Sequence, residues 1–401
     1  MLWVILRAAL LVLPFLPRRR RNAGTGPFKV LVTGRVDSPN WCIAHLTPLT
    51  RTPNISELML VMDGRLKGAP NARQFPVPRW LGWIKPRAIA RSFWAFRTAI
   101  KEKPDVIMAY SFFPPGLFSL FGARLCGAAS ILQLPGGPLE IEWGAIGMEE
   151  PFMPRFLTTR IAPLCHRVCD NFDAIIVRGR KAHAYARNHC RPGGIDVVSG
   201  SVAPERFRLN GQPRTVDLVF IGRIVPIKQP DHLCEVVRRV SLKRPSLRAV
   251  IAGTGPLLPA MKRQVTEMGL ANTIRFAGHV ERVDRLLTRS RVFLLTSQSE
   301  GLSIAMVEAM MAGAVPVVPD VGDLSELITN GETGWLIKPG DFEDYADKIC
   351  ALLENIQLWE MMSRNARELV LRENAVEAVA QRWKGILARS VAYAPLGKQF
   401  E

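Results

Sequence analysis

Short apolar runs alternate with longer stretches of helical period along this chain. They do so in two blocks, and that alternation leaves few folds open. The first block has strand-like runs at 28–32, 58–62, 105–109, 130–134, 173–177 and 194–198. The second has them at 216–221, 247–252, 273–277, 292–296, 315–318 and 334–337. Strands joined through helices pair in parallel, and a parallel sheet needs cover on both faces. Each block is therefore expected to fold as an α/β domain. The polar stretch 210–215, which contains Gly211 and Pro213, reads as the linker between them. A length of 401 residues accommodates two domains of ordinary size, and 48% apolar residues supply their cores. The expected division is a leading segment and linker at 1–27, a first domain at 28–209, a second at 216–375, and a final helical stretch at 376–401.

The stretch SEGLSIAMVE, residues 299–308, carries the chemistry. It follows an apolar strand-like run and opens a helix-like run that ends near Gly313. Two carboxylates, Glu300 and Glu308, bracket it. On a helix their separation is roughly 12 Å, so they lie on similar faces and cannot touch one atom. A double-displacement glycosidase needs its carboxyl groups only about 5 Å apart. This pair suits the two ends of one long ligand. Between them, Gly301, Leu302 and Ser303 offer backbone N–H groups at the helix start, a place that binds phosphate. A nucleotide diphosphate sugar has that layout: sugar hydroxyls, a pyrophosphate, then ribose hydroxyls.

At these residues the chain resembles the retaining GT-B glycosyltransferases of family 4. The E-x7-E pair is similar to theirs. So are FIGRIVPIKQPD (220–231), IAGTGP (251–256), FAGHV (276–280), EGLSIAMVEAMMAGAVPVV (300–318) and NGETGWLIKPGD (330–341), in the family's order and spacing. The segment VSGSVAPERF (198–207) resembles the family's exit from the first domain. The resemblance implies two Rossmann-like domains facing across a cleft, with the last helix crossing back to the first. It implies transfer of a sugar from a nucleotide diphosphate sugar to a glycan acceptor, with retention and without a metal or other cofactor. Arg223 and Lys228 would hold the leaving diphosphate, and Glu300 would contact the transferred sugar. Glu308 would take the ribose hydroxyls, with Gly222, Gly253, Val280, Gly301, Leu302 and Ser303 lining the donor. The turn Gly253-Thr254-Gly255 lacks the third glycine of a dinucleotide fingerprint, Leu258 standing in its place, which argues against an NAD enzyme.

The first block departs from the family's pattern. Thr33-Gly34-Arg35 stands where many relatives have a Gly-Gly loop, and Met108-Ala109-Tyr110 where many have His-x-His. Pro135-Gly136-Gly137-Pro138 replaces a His-containing loop, with Glu140 and Glu142 just beyond. The usual acceptor-side histidine is missing. Gly34, Gly136, Gly137 and Glu140 are the acceptor-side candidates, and Glu140 or Glu142 is a candidate for part of its work. Two other readings stay open: a non-catalytic relative that only binds, and a GT-B sugar-nucleotide epimerase.

The formal charge of +18 favours anionic partners. Nucleic acid is set aside, because the basic residues do not gather around a binding motif. The run 2–16 is almost wholly apolar and precedes four arginines at 18–21. It is too short to span a bilayer upright and is expected to lie in the headgroup region of an anionic membrane surface, with the body at the cytoplasmic face. Residues 79–98 interleave Trp80, Trp83, Phe93, Trp94 and Phe96 with basic residues, which makes either a second membrane-facing surface or an ordinary packed helix. The acceptor is accordingly expected to be lipid-linked. The seven cysteines show no C-x-x-C pair, and Cys165, His166 and Cys169 are not expected to hold a metal.

Overall fold

The computed structural model describes residues 2–17, 26–34, 39–66, 69, 71–135, 155–209 and 211–392. The chain divides into two compact units, one of residues up to Ser201 together with Val376 onward, the other Val202–Ala375. Arg35, the arginines at 18–21, Gly136, Gly137, Glu140 and Glu142 lie outside the described residues.

The first unit is built on a seven-stranded parallel sheet in the order β3-β2-β1-β4-β5-β6-β7. Its strands are β1 (Phe28–Thr33), β2 (Ile55–Val61), β3 (Arg73–Gln74), β4 (Val106–Tyr110), β5 (Ala129–Gln133), β6 (Ala174–Val177) and β7 (Ile195–Val197). The central strands β4, β5 and β6 are buried along their whole length, which is why they read as unbroken apolar runs. The helix Val376–Ala392 packs into this unit's core through Val379, Trp383, Ile386 and Leu387. Side chains of the unit also reach its backbone, Asn54 Nδ2 donating to the Lys384 carbonyl at 3.1 Å.

The helix Leu2–Val12 buries Leu2, Leu6 and Ala9, and Leu13 follows in the next turn. That spacing is one helical face, and it packs on the helix Arg155–Cys169 and its neighbours in the same unit. The opposite side leaves Trp3, Val4, Leu11, Val12 and Phe15 exposed. Among the described residues, no helix is long and apolar enough to cross a membrane. The 79–98 stretch also divides. Trp80, Trp83 and Phe93 are exposed, whereas Trp94 and Phe96 are half-buried. Cys165 and Cys169 are buried thiols of the core, and His166 Nε2 lies 3.1 Å from the Tyr185 hydroxyl.

The second unit is a six-stranded parallel sheet in the order β10-β9-β8-β11-β12-β13. The strands are β8 (Val216–Ile221), β9 (Ala249–Ala252), β10 (Ile274–Gly278), β11 (Ser290–Leu294), β12 (Val315–Pro319) and β13 (Trp335–Ile337). The chain winds outward from β8 to β9 and β10, then returns to place β11 on the other side of β8. The carboxyl ends of β8 and β11 therefore flank a topological switch point, where ligands of open α/β sheets collect. Pro230 opens the helix Pro230–Lys243 at its first position, as its fixed φ and missing N–H favour.

Candidate active site

The loops that follow β8 and β11 bring the second unit's charged residues to the switch point. After β8, Gly222 and Arg223 lead into the short turn Pro226–Lys228. The loop is stitched to its neighbours by backbone bonds: Gly222 N donates to the Ala252 carbonyl at 3.0 Å, Ile224 N to Thr254 at 2.9 Å, and Gly253 N to Gly278 at 2.7 Å. Gly253 has φ +155°, and a Cβ built on it would sit 1.8 Å from the Gly222 carbonyl oxygen. Only glycine permits that approach of two turns.

Lys228 and Glu300, far apart in sequence, form an ion pair here. Ser297 Oγ donates to the same carboxylate oxygen, Glu300 Oε1, at 2.6 Å. The two loops are also tied directly. Gln298 N donates to the Ile227 carbonyl at 2.8 Å, and Thr296 Oγ1 to the carbonyls of Lys228 and Gln229, each at 3.1 Å. Beneath them Gly322, with φ +54°, would put a Cβ 1.7 Å from the Glu300 carbonyl oxygen, so this contact too requires glycine.

The helix that carries Glu308 is shorter than the sequence reading implied. It runs Ile304–Met311, and Ser303 is its extended N-cap, whose hydroxyl accepts from Met306 N. Glu300 therefore lies in the loop before the helix, and the helical spacing of the two carboxylates does not apply. The physical reason is local. The Glu300 carboxylate is held by Lys228 and Ser297, and Ser303 takes over the start of the helix. Gly301, Leu302 and Ser303 do lead into that start, and Leu302 and Ser303 are nearly buried. Val280 is half-buried in the turn after β10, and His279 beside it is exposed.

Glu308 faces inward at 5% exposure. Burial pushes its carboxyl up to about 7; Arg206 opposes that rise and Asp284 adds to it. Arg206 Nη1 lies 3.9 Å from Glu308 Oε1, and Arg206 Nη2 lies 3.8 Å from Asp284 Oδ1. Arg282 in turn grips Asp284 through Nε at 3.0 Å and Nη2 at 2.8 Å. The far end of the helix is fixed as well. Arg214 donates to the Ala312 carbonyl at 2.9 Å, and Arg367 to the Met311 carbonyl, both favourable at a helix C-terminus. Sequence reasoning assigned no role to Arg206, Asp284, Arg214 or Arg367. Arg206 lies inside the 198–207 segment that carried part of the resemblance, the one signal available for it.

Of the candidates, the structure therefore brings Lys228 and Glu300 into contact, sets Gly222, Arg223 and Gly253 in neighbouring turns, and buries Glu308 on the following helix. Gly34 directly follows β1 of the first unit, which is a separate unit. Among the described residues no cluster of His, Cys, Asp or Glu has the arrangement of a metal centre.

This geometry agrees with the likenesses to known proteins. Residues 203–369, which lie within the second unit, match the family model of glycosyl transferases group 1. The chain is 27% identical over 318 residues to the sulfoquinovosyl transferase SQD2 of Arabidopsis thaliana, covering 74% of this chain and 59% of that protein. It is 31% identical over 190 residues to a D-inositol 3-phosphate glycosyltransferase of Geodermatophilus obscurus, covering 44% of this chain and 42% of that one. The chain thus spans about half the length of these relatives. A crystal structure of Anabaena HepE in complex with UDP-glucose superposes with a TM-score of 0.72 at 16% identity, covering 90% of this chain and 99% of HepE. Its two parallel-sheet units have the GT-B fold.

Proposed function

We propose that this chain is a retaining glycosyltransferase that moves a sugar from a nucleotide diphosphate sugar to a glycan acceptor. The observation that carries the reading is the meeting of Lys228 and Glu300 at the switch point, with Glu308 buried on the next helix, inside the stretch that matches the glycosyl transferases group 1 model. Arg223 and Lys228 neutralise the diphosphate as the bond from the anomeric carbon to the phosphate oxygen breaks, a role that needs no metal. The acceptor oxygen bonds to the same face of that carbon, and its proton passes to the departing diphosphate. Glu300 orients the sugar hydroxyls, and Glu308 accepts from the ribose hydroxyls. Titration calorimetry of UDP, GDP and ADP without metal tests the donor site. One diphosphate is expected to bind, and Arg223→Ala or Glu308→Ala should weaken it by about 1.5–3 kcal/mol, the scale of charge-assisted hydrogen bonds. Unchanged affinity in both variants would remove the assignment.

The acceptor we propose is lipid-linked, in envelope or exopolysaccharide synthesis, and reached from the cytoplasmic face of an anionic membrane. The exposed apolar side of Leu2–Val12, with exposed Trp80 and Trp83, supports this. Deleting the segment would strip the first unit's core of Leu6 and Leu13, so the informative variant changes its outer side only. Val4→Ser/Leu11→Ser/Phe15→Ser is expected to lose most of its flotation with phosphatidylglycerol vesicles. Flotation equal to that of the unaltered chain would refute this contact.

A further inference from the structure

The second unit contains a cavity of ≈ 810 Å³ to which the proposed reaction gives no task. Ligand sites typically span roughly 300–1,000 Å³. Arg206, Arg208, Arg214, Arg282, Arg285 and Arg289 line it, against two carboxylates, Glu205 and Asp284. Part of its lining, Arg206 and Asp284, neighbours Glu308, and another part lies at the far end of the sheet from the residues assigned to the diphosphate. Arg214 stands just before β8 and Arg289 just before β11, at the amino ends of the strands. Gly222, Arg223 and Glu300 follow the carboxyl ends of the same two strands. At about 3.3 Å per residue, five or six strand residues put roughly 17–20 Å between the two ends.

Three of these arginines already have work. Arg214 is bonded to the Ser290 and Ala312 carbonyls, Arg282 is paired with Asp284, and Arg206 stands between Asp284 and Glu308. Arg208, Arg285 and Arg289 are exposed into the cavity region, and no ion pair of the described residues engages their side chains. Other cations of the unit divide: Arg238 and Arg239 pair with Glu235, and Arg239 and Lys243 with Glu343, whereas Arg263 and Arg275 carry no ion pair among the described residues. Unpaired like charges gathered in a concavity repel one another, and a bound anion relieves that repulsion. The guanidinium fork matches the paired oxygens of a phosphate group.

We propose that this cavity is a second anion site, for a small phosphorylated molecule, held by Arg208, Arg285 and Arg289 and distinct from the site of Arg223 and Lys228. The proposal stands apart from the transferase reading. It is tested by calorimetry of the full chain with inorganic tripolyphosphate. The expected result is two binding events. Arg223→Ala should weaken one, and Arg285→Ala/Arg289→Ala should weaken the other at least tenfold. A pair elsewhere on the unit, Arg263→Ala/Arg275→Ala, controls for lost net charge and should change neither. Circular dichroism verifies that each variant is folded. A single event, sensitive to Arg223 alone, would overturn the site. So would equal weakening in both double variants, which would mean that the net charge of +18 draws the probe. Failure of the transferase reading would show separately, as a missing Arg223-dependent event.

Discussion

Lys228→Ala is expected to abolish most sugar transfer and also to destabilise the protein, whereas Lys228→Met/Glu300→Gln should restore the stability and not the activity. The Glu300 side chain is 6% exposed and that of Lys228 16%. Removing one partner of such a pair strands the other charge, at a cost of about 3–5 kcal/mol. Replacing both with uncharged side chains of similar volume removes that penalty. The transfer reaction has no such compensation, because the cation's task is to meet charge that develops on the leaving diphosphate. Loss of one preorganised group of this kind typically costs about 10²–10³ in rate. Urea unfolding and product formation, measured on the same three proteins, give the two readouts. If activity returned with stability in the double variant, the pair would be a structural staple and the catalytic roles of Lys228 and Glu300 would fall.

The two sheets were legible because parallel strands buried on both faces read as continuous apolar runs, and β8 coincides with the expected run 216–221. The strand β3 was not legible. It is two residues long, Arg73–Gln74, with no apolar content to mark it. The glycine-rich turns around Gly222 and Gly253 could be placed from sequence, since the positions of glycines and strands together fix where a chain must turn sharply. The helix at Ser303 carried an N-cap signal, a serine just ahead of an apolar run, and that signal dates the helix later than the span used to space the two glutamates. What sequence could not convey is which charges meet. Arg206 finds Glu308 and Asp284, and Lys228 finds Glu300, only because β8 and β11 are neighbours in the sheet. The inward face of Leu2–Val12 was hidden for a related reason: a helix apolar nearly all round shows no stripe, so nothing local says which side its own unit will cover.

The Glu308→Gln variant is expected to be more stable than the unaltered protein at pH 8 and no more stable at about pH 4, below the value of the free carboxyl. Burial raises the Glu308 carboxyl to about 7, against 4.5 for the free group, so the folded state holds the proton more tightly than the unfolded chain does. A group of this kind contributes its full stability below the unfolded value, and the contribution is lost as pH rises through the folded one. At about 1.4 kcal/mol per pH unit, the loss reaches roughly 3 kcal/mol by pH 8. Glutamine keeps the side chain neutral throughout and escapes it. Donor binding should run the opposite way. A carboxylate accepting two ribose hydroxyls is needed in its ionised form, which grows from about a tenth of the population at pH 6 to about nine tenths at pH 8. Apparent affinity scales with that fraction, so nucleoside diphosphate binding should tighten roughly tenfold across the window. The diphosphate's own titration is common to both proteins, and the difference between their profiles isolates Glu308. Parallel profiles would mean that Glu308 does not touch the donor, and that its burial beside Arg206 serves only the fold. Tightening confined to the unaltered protein, together with its declining stability, would show that the chain keeps a carboxylate where an uncharged side chain would be more stable, because the ribose requires it.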